Sequence, residues 1–134
     1  MSQKNVERVR AAVEALNRLD GAAFDALLAS DAEIVPVRAA VERVSYQGAD
    51  AGSQYCAAIE ERGEDIRWEI EDIRDDGNWV LALGHIRGRG RDSGAAFDAR
   101  AGWVAHLDQG LITRFQAFSD RGAALKAVGL MEGG

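Results

Sequence analysis

Cysteine, proline and histidine are nearly absent from this chain, and each scarcity excludes something. One cysteine in 134 residues, Cys56, cannot form an internal disulfide. That points to a reducing compartment, and the cytoplasm is the expected location. The two histidines, His85 and His106, and Cys56 do not stand at ligand spacing, so no metal is expected. Positive charge is also short: 16 Lys and Arg against 22 Asp and Glu leave a net charge of −6. A nucleic-acid partner would normally require a basic domain, so none is expected. No apolar run approaches the roughly 18–20 residues of a membrane span. The opening "MSQKNVERVRAAVEAL" lacks the apolar centre of a signal peptide. Neither "GxxxxGK" nor "GxSxG" occurs, and "GRGR" precedes no helix, so no cofactor is expected. The single proline, Pro36, interrupts "AEIVPVRAA", and there is no linker, repeat or low-complexity tract. A single domain over residues 1–134 follows, with its core from about residue 4 to 130.

What remains is patterned. Val6, Val9, Val13, Leu16 and Leu19 recur at steps of three or four, an apolar stripe on one helix. Asp20 and Gly21 break that helix and open a second, with Phe24, Leu27 and Leu28 inward. Short strands are expected near Ile34–Val37 and Val44–Tyr46. Gly48–Asp50 opens a third helix, with Tyr55, Ala58 and Ile59 facing the core.

From residue 66 the period becomes two. Asp76-Gly77 signals a two-residue hairpin, "DSG" (Asp92–Gly94) and "DQG" (Asp108–Gly110) three-residue ones. These loop lengths predict Trp68 opposite His85, Leu83 near Trp103, His85 near Ala101, Trp103 near Phe115 and Ala101 near Ala117. One face would carry Trp68, Ile70, Leu81, Leu83, His85, Ala101, Trp103, Phe115 and Ala117, and would meet the helices. The other would carry Glu69, Glu71, Val80, Ala82, Gly84, Ile86, Arg100, Val104, His106, Arg114 and Gln116. It is too apolar for solvent and too charged for a core, which suits a homodimer through the outer sheet face. "GHIRGRGRDSG" then reads as an extended hairpin whose arginines are solvated or meet nearby carboxylates. The alternative reading puts His85, and with it Arg87, at the wall or mouth of a cavity.

Three helices followed by a long curved antiparallel sheet resemble the nuclear transport factor 2-like superfamily, and its SnoaL-like branch in particular. The residues that carry the likeness are Ala26–Ile34, "YQGADAGSQY" (Tyr46–Tyr55), "GWVAHLDQGLITRFQAFSD" (Gly102–Asp120) and the tail helix "RGAALKAVGL". The resemblance implies an α+β cone: a curved antiparallel sheet wrapped around three N-terminal helices, with a short C-terminal helix. It also implies catalytic positions, and this chain lacks their side chains. The inward aspartate of the last strand falls on Ala117. The tyrosine and protonated aspartic acid of the isomerase-like oxyanion hole fall near Ala12 and Trp103, and the aspartate base near Pro36. Glu33 and Asp31 are the nearby carboxylates; Asp31 reads as a helix end, and Asp120 as a cap of the tail helix.

His85 is therefore the one candidate proton carrier on the apolar face, with the titration range of a general base. Tyr55, Trp68, Leu83, His85, Trp103, Phe115 and Ala117 are the expected ligand-binding residues, flooring a pocket for a small apolar molecule. Three functions stay open. The first is a small-molecule binder without the usual catalytic aspartate. The second is an isomerase, cyclase or hydrolase of a polycyclic or terpenoid-like substrate, using His85 or a tyrosine. The third is a dimeric partner-binding module with a filled pocket.

Overall fold

A computed structural model describes residues 2–36, 45–76, 78–90, 92–119 and 121–133. Helix α1 (Ser2–Asn17) buries Val9, Val13 and Leu16 of the expected stripe together with Ala12, while Val6 is half-buried and Leu19 is exposed. Leu19, at φ 53°, turns the chain out of it. Asp20 then caps α2 (Gly21–Asp25) by accepting the Ala23 N–H at 3.1 Å. This helix is shorter than its pattern suggests. Phe24 is buried in it, but Leu28 already opens strand β1 (Leu28–Val35), and Asp31 lies within that strand rather than ending a helix. Strand β2 is Tyr46–Gln47, and Val37 and Val44 lie outside the described residues. Helix α3 (Ala51–Arg62) is fastened to α2 by Asp25, whose carboxylate accepts Ser53 N–H at 3.0 Å and Ser53 Oγ–H at 2.5 Å.

Four long strands follow: β3 (Gly63–Asp76), β4 (Trp79–Gly90), β5 (Ala96–Asp108) and β6 (Leu111–Phe118). Helix α4 (Arg121–Gly133) ends the described chain. The six strands form one unclosed sheet in the order β2-β1-β6-β5-β4-β3, antiparallel except for β1 against β6. The α+β class and the curved sheet around N-terminal helices are as expected. The curvature has a local cause. Two extra residues interrupt the β3 ladder, between Glu64 and Arg67 and between Ile70 and Asp72, and such bulges bend a strand.

The registers differ from the expected ones, and the difference changes a face. Strands β5 and β6 close on Asp108 opposite Leu111, with Gln109 and Gly110 both at positive φ (52° and 81°), a two-residue turn of the type favoured in hairpins. Trp103 meets Ala117 and Ala105 meets Phe115. This is a shift of two from the predicted pairing, so both strands keep the expected faces. Strands β4 and β5 instead close with the Gly90 N–H on the Ala95 carbonyl at 3.0 Å, a longer loop than the three-residue one predicted. Leu83 lies opposite Gly102 and His85 opposite Arg100, a slip of one. On the other side the hairpin closes on Asp76 opposite Trp79, a shift of two from the expected turn. Glu71 is then the extra residue of a bulge, so the net change is one, and Trp68 pairs with Ile86 and Glu69 with His85. Each one-residue change moves the same strand, and β4 is turned over relative to prediction. Val80 and Ala82 join the core under α1–α3. Leu81 and Leu83 lie on the outer face, packed with Val104 beneath Ala124 and Val128 of α4.

Candidate functional site

The inner face of the sheet gathers most of the aromatic side chains. Trp68 of β3 stacks on Trp103 of β5 at 5.1 Å between ring centroids and 27° between planes. Tyr55 of α3 meets Trp68 edge-on at 5.7 Å and lies 5.7 Å from Tyr46. Phe24 meets Phe115 edge-on at 5.7 Å. The sequence put Tyr55, Trp68, Trp103, Phe115 and Ala117 on this side, and all five are buried together there. The alternation of the strands and the inward stripe of α3 explain why.

The two indoles carry an unusual feature. Trp68 and Trp103 are 4% and 1% exposed, and the Nε1–H of each is buried with no hydrogen-bond acceptor among the described residues. A buried donor left unpaired costs about 1–3 kcal/mol, so two side by side call for an explanation. No charged side chain is buried among the described residues, so the interior offers donors and apolar surface, with the Tyr55 hydroxyl as a weak acid beside the indoles. The positions onto which the resemblance carried catalytic groups hold Ala12, Trp103 and Ala117, all buried, and Glu33 sits in an ion pair with Arg114 at 2.7 Å.

His85 and Leu83 are not part of this site. Leu83 supports α4 on the other side of the sheet. The His85 ring lies between two carboxylates, its Nδ1 2.7 Å from Asp98 Oδ1 and its Nε2 3.2 Å from Glu71 Oε2. Glu71 lies on the outer face as expected, and the turning-over of β4 brings His85 to it. Arg87 Nε extends the group, 3.3 Å from both Glu69 Oε1 and Asp98 Oδ2. The basic stretch is thus the expected hairpin, with Arg87 meeting carboxylates and Arg89 the Gly94 carbonyl, and His85 belongs to its outer surface.

Two side chains complete the chemistry. Burial and then the nearby Asp25, Asp20 and Glu60 push the Cys56 thiol from 9.0 up to about 11, which makes it unreactive. His106, on the outer face, is held below the usual imidazole value by burial and by Arg114. Among the described residues no cluster of His, Cys, Asp and Glu could hold a metal ion, and no helix is long and apolar enough to cross a membrane.

Asn17 is a residue the sequence reading passed over. It ends α1 off the apolar stripe, where an asparagine attracts no notice. Its amide donates to the Trp68 carbonyl at 3.0 Å and accepts the Trp68 N–H at 2.7 Å. Beside it a cleft of about 300 Å³ opens between α1 and β3, lined by Arg10, Val13, Glu14, Asn17, Trp68 and Ile70. A second groove, of about 480 Å³, lies on the outer face between α4 and the β3–β4 hairpin.

Fold and site define a cone-shaped α+β domain with an aromatic interior. Residues 9–115 match the SnoaL-like domain family, and the chain belongs to it. Solved structures share the fold. A hypothetical protein with a ketosteroid isomerase-like fold from Catenulispora acidiphila DSM 44928, in complex with trimethylamine, superposes with a TM-score of 0.76 at 19% identity, over 92% of each chain. A nuclear transport factor 2-like protein from Burkholderia xenovorans LB400 gives 0.75 at 22% identity, over 95% of this chain and 97% of that one. A protein provisionally named a SnoaL-like polyketide cyclase, from Jannaschia sp. CCS1, gives 0.77 at 16% identity, over 96% and 93%. No curated protein matches the sequence.

Proposed function

We propose that this protein binds a small, neutral, largely apolar molecule against the Trp68–Trp103 pair and performs no acid–base chemistry on it. The observation that carries this reading is the pair of buried, unpartnered indole N–H groups. An acceptor on a flat ligand, such as a carbonyl or ether oxygen, would satisfy one or both, while the ring stacks on indole. The lack of a buried charge favours a neutral ligand, since an ion would enter without a counter-charge. The same lack, with His85 on the outer face, leaves the isomerase, cyclase or hydrolase reading only the Tyr55 hydroxyl.

The close ring packing favours one other reading, a partner-binding module whose interior is filled by its own aromatics. Two measurements separate the readings. Native mass spectrometry of protein from its own host, with and without denaturation, would reveal a co-purifying molecule. Tryptophan fluorescence would then be titrated with fluorenone and with fluorene, which share a shape and differ by one carbonyl. The binding reading expects fluorenone to bind several-fold more tightly, and Trp68→Phe to erase the difference. If neither compound binds and nothing co-purifies, the filled-module reading stands instead.

A further inference from the structure

We propose that the ligand reaches the indole pair through the seam between α1 and β3, with Asn17 as the latch of that seam. This rests on the binding reading above. The two Nε1–H groups are sealed, so some element must move before an acceptor can meet them. Strand β3 is one of the two edges of the sheet, bonded to a strand on one side only. Its ladder to β4 is interrupted on both sides of Trp68, between Glu64 and Arg67 and between Ile70 and Asp72. Asp65, at φ 54°, marks the first interruption. The stretch that carries Trp68 is therefore a short paired segment between two bulges, where a strand bends with few bonds broken.

On its free side the Trp68 main chain is tied by one side chain. The Asn17 amide bonds both its N–H and its carbonyl, as a neighbouring strand would. The cleft of about 300 Å³ lies at this point, lined by Trp68 and Ile70 of β3 and by Arg10, Val13, Glu14 and Asn17 of α1. A space large enough for part of a flat molecule thus already abuts Trp68. Releasing the Asn17 bonds would let the segment turn and join the cleft to the indole pair.

The test is stopped-flow tryptophan quenching with fluorenone on the full chain. Asn17→Ala removes the latch and should raise both association and dissociation rates, each roughly tenfold, as expected for losing one or two net hydrogen bonds from the closed state. The equilibrium constant should change much less. A residue that only stabilised the fold would not speed both directions together. Should Asn17→Ala fail to fold, Asn17→Asp keeps the acceptor for the Trp68 N–H, removes the donor to its carbonyl, and should shift both rates the same way by less. Ile70→Phe narrows the cleft and should slow association several-fold. Binding that persists with unchanged rates in all these variants overturns the seam as the entrance and leaves the binding reading intact. Absence of binding to the unaltered protein overturns both.

Discussion

Gly84 shows how far one residue can matter. The β3 bulge brings the Glu69 carbonyl so close that a Cβ at position 84 would sit 1.8 Å from its oxygen. The obstacle is main chain and cannot swing aside. Gly84→Ala is expected to cost at least about 2 kcal/mol, read as a lower urea midpoint, because overpacking against backbone forces the strands apart. Cys56 gives a second prediction at this scale. Its folded pKa of about 11 lies above the unfolded 9.0, so between these values the folded state keeps a proton that the unfolded state has lost. The thiol's contribution is fully present below pH 9.0 and is lost as pH rises toward 11. Cys56→Ser should flatten that alkaline fall in thermal stability. In the native protein at pH 8 the thiol should react with a disulfide reagent only as fast as the chain opens.

Among the elements, α4 has the clearest separable role. Ala124 and Val128 cover Leu81, Leu83 and Val104, and Ala124 Cβ lies 2.6 Å from where a Cβ on Gly102 would be. The glycine lets the helix approach the sheet. Deleting residues 121–134 would expose three buried apolar side chains on neighbouring strands. The truncated chain is expected to bind anilinonaphthalene sulfonate and to aggregate, while keeping the Trp68–Trp103 stack on the other face, visible as an unchanged exciton signal in circular dichroism. Loss of that signal would show that α4 also supports the inner core. The β4–β5 hairpin is the opposite kind of element. Residues 95–100 are exposed on both faces, and its ion pairs sit in water, where each contributes little.

For the whole molecule, we propose a homodimer through the part of the outer sheet face that α4 leaves. Arg114 lies at its centre, bonded to Glu33 at 2.7 Å and to Gln116 at 3.2 Å, beside His106 on the next strand. A half-buried ion pair with a polar neighbour on a sheet face suits a symmetric contact. Sedimentation should give twice the chain mass at micromolar concentration, and Arg114→Glu, which sets like charges together, should give single chains. A monomeric unaltered protein would end this proposal.

How much of this was legible in the chain depends on the strand. For β6 the alternation of Phe115 and Ala117 with Arg114 and Gln116 assigns the faces, and a two-residue error in its register with β5 left Trp103 and Ala105 on the right side. The apolar stripes of α1 and α3 were equally plain. Asn17 gave no signal, because its role depends on an edge strand 51 positions away. Strand β4 could not be read at all. "WVLALG" is apolar at every position, since helices cover both sides of it, so periodicity held no preference between Leu83 and Ala82. The sequence by itself determined the class, the order of elements and the aromatic interior, because burial patterns are local. The tertiary structure alone decided where His85 points. Side chains alternate with a period of two, so one extra residue in a bulge or a turn reverses a whole strand.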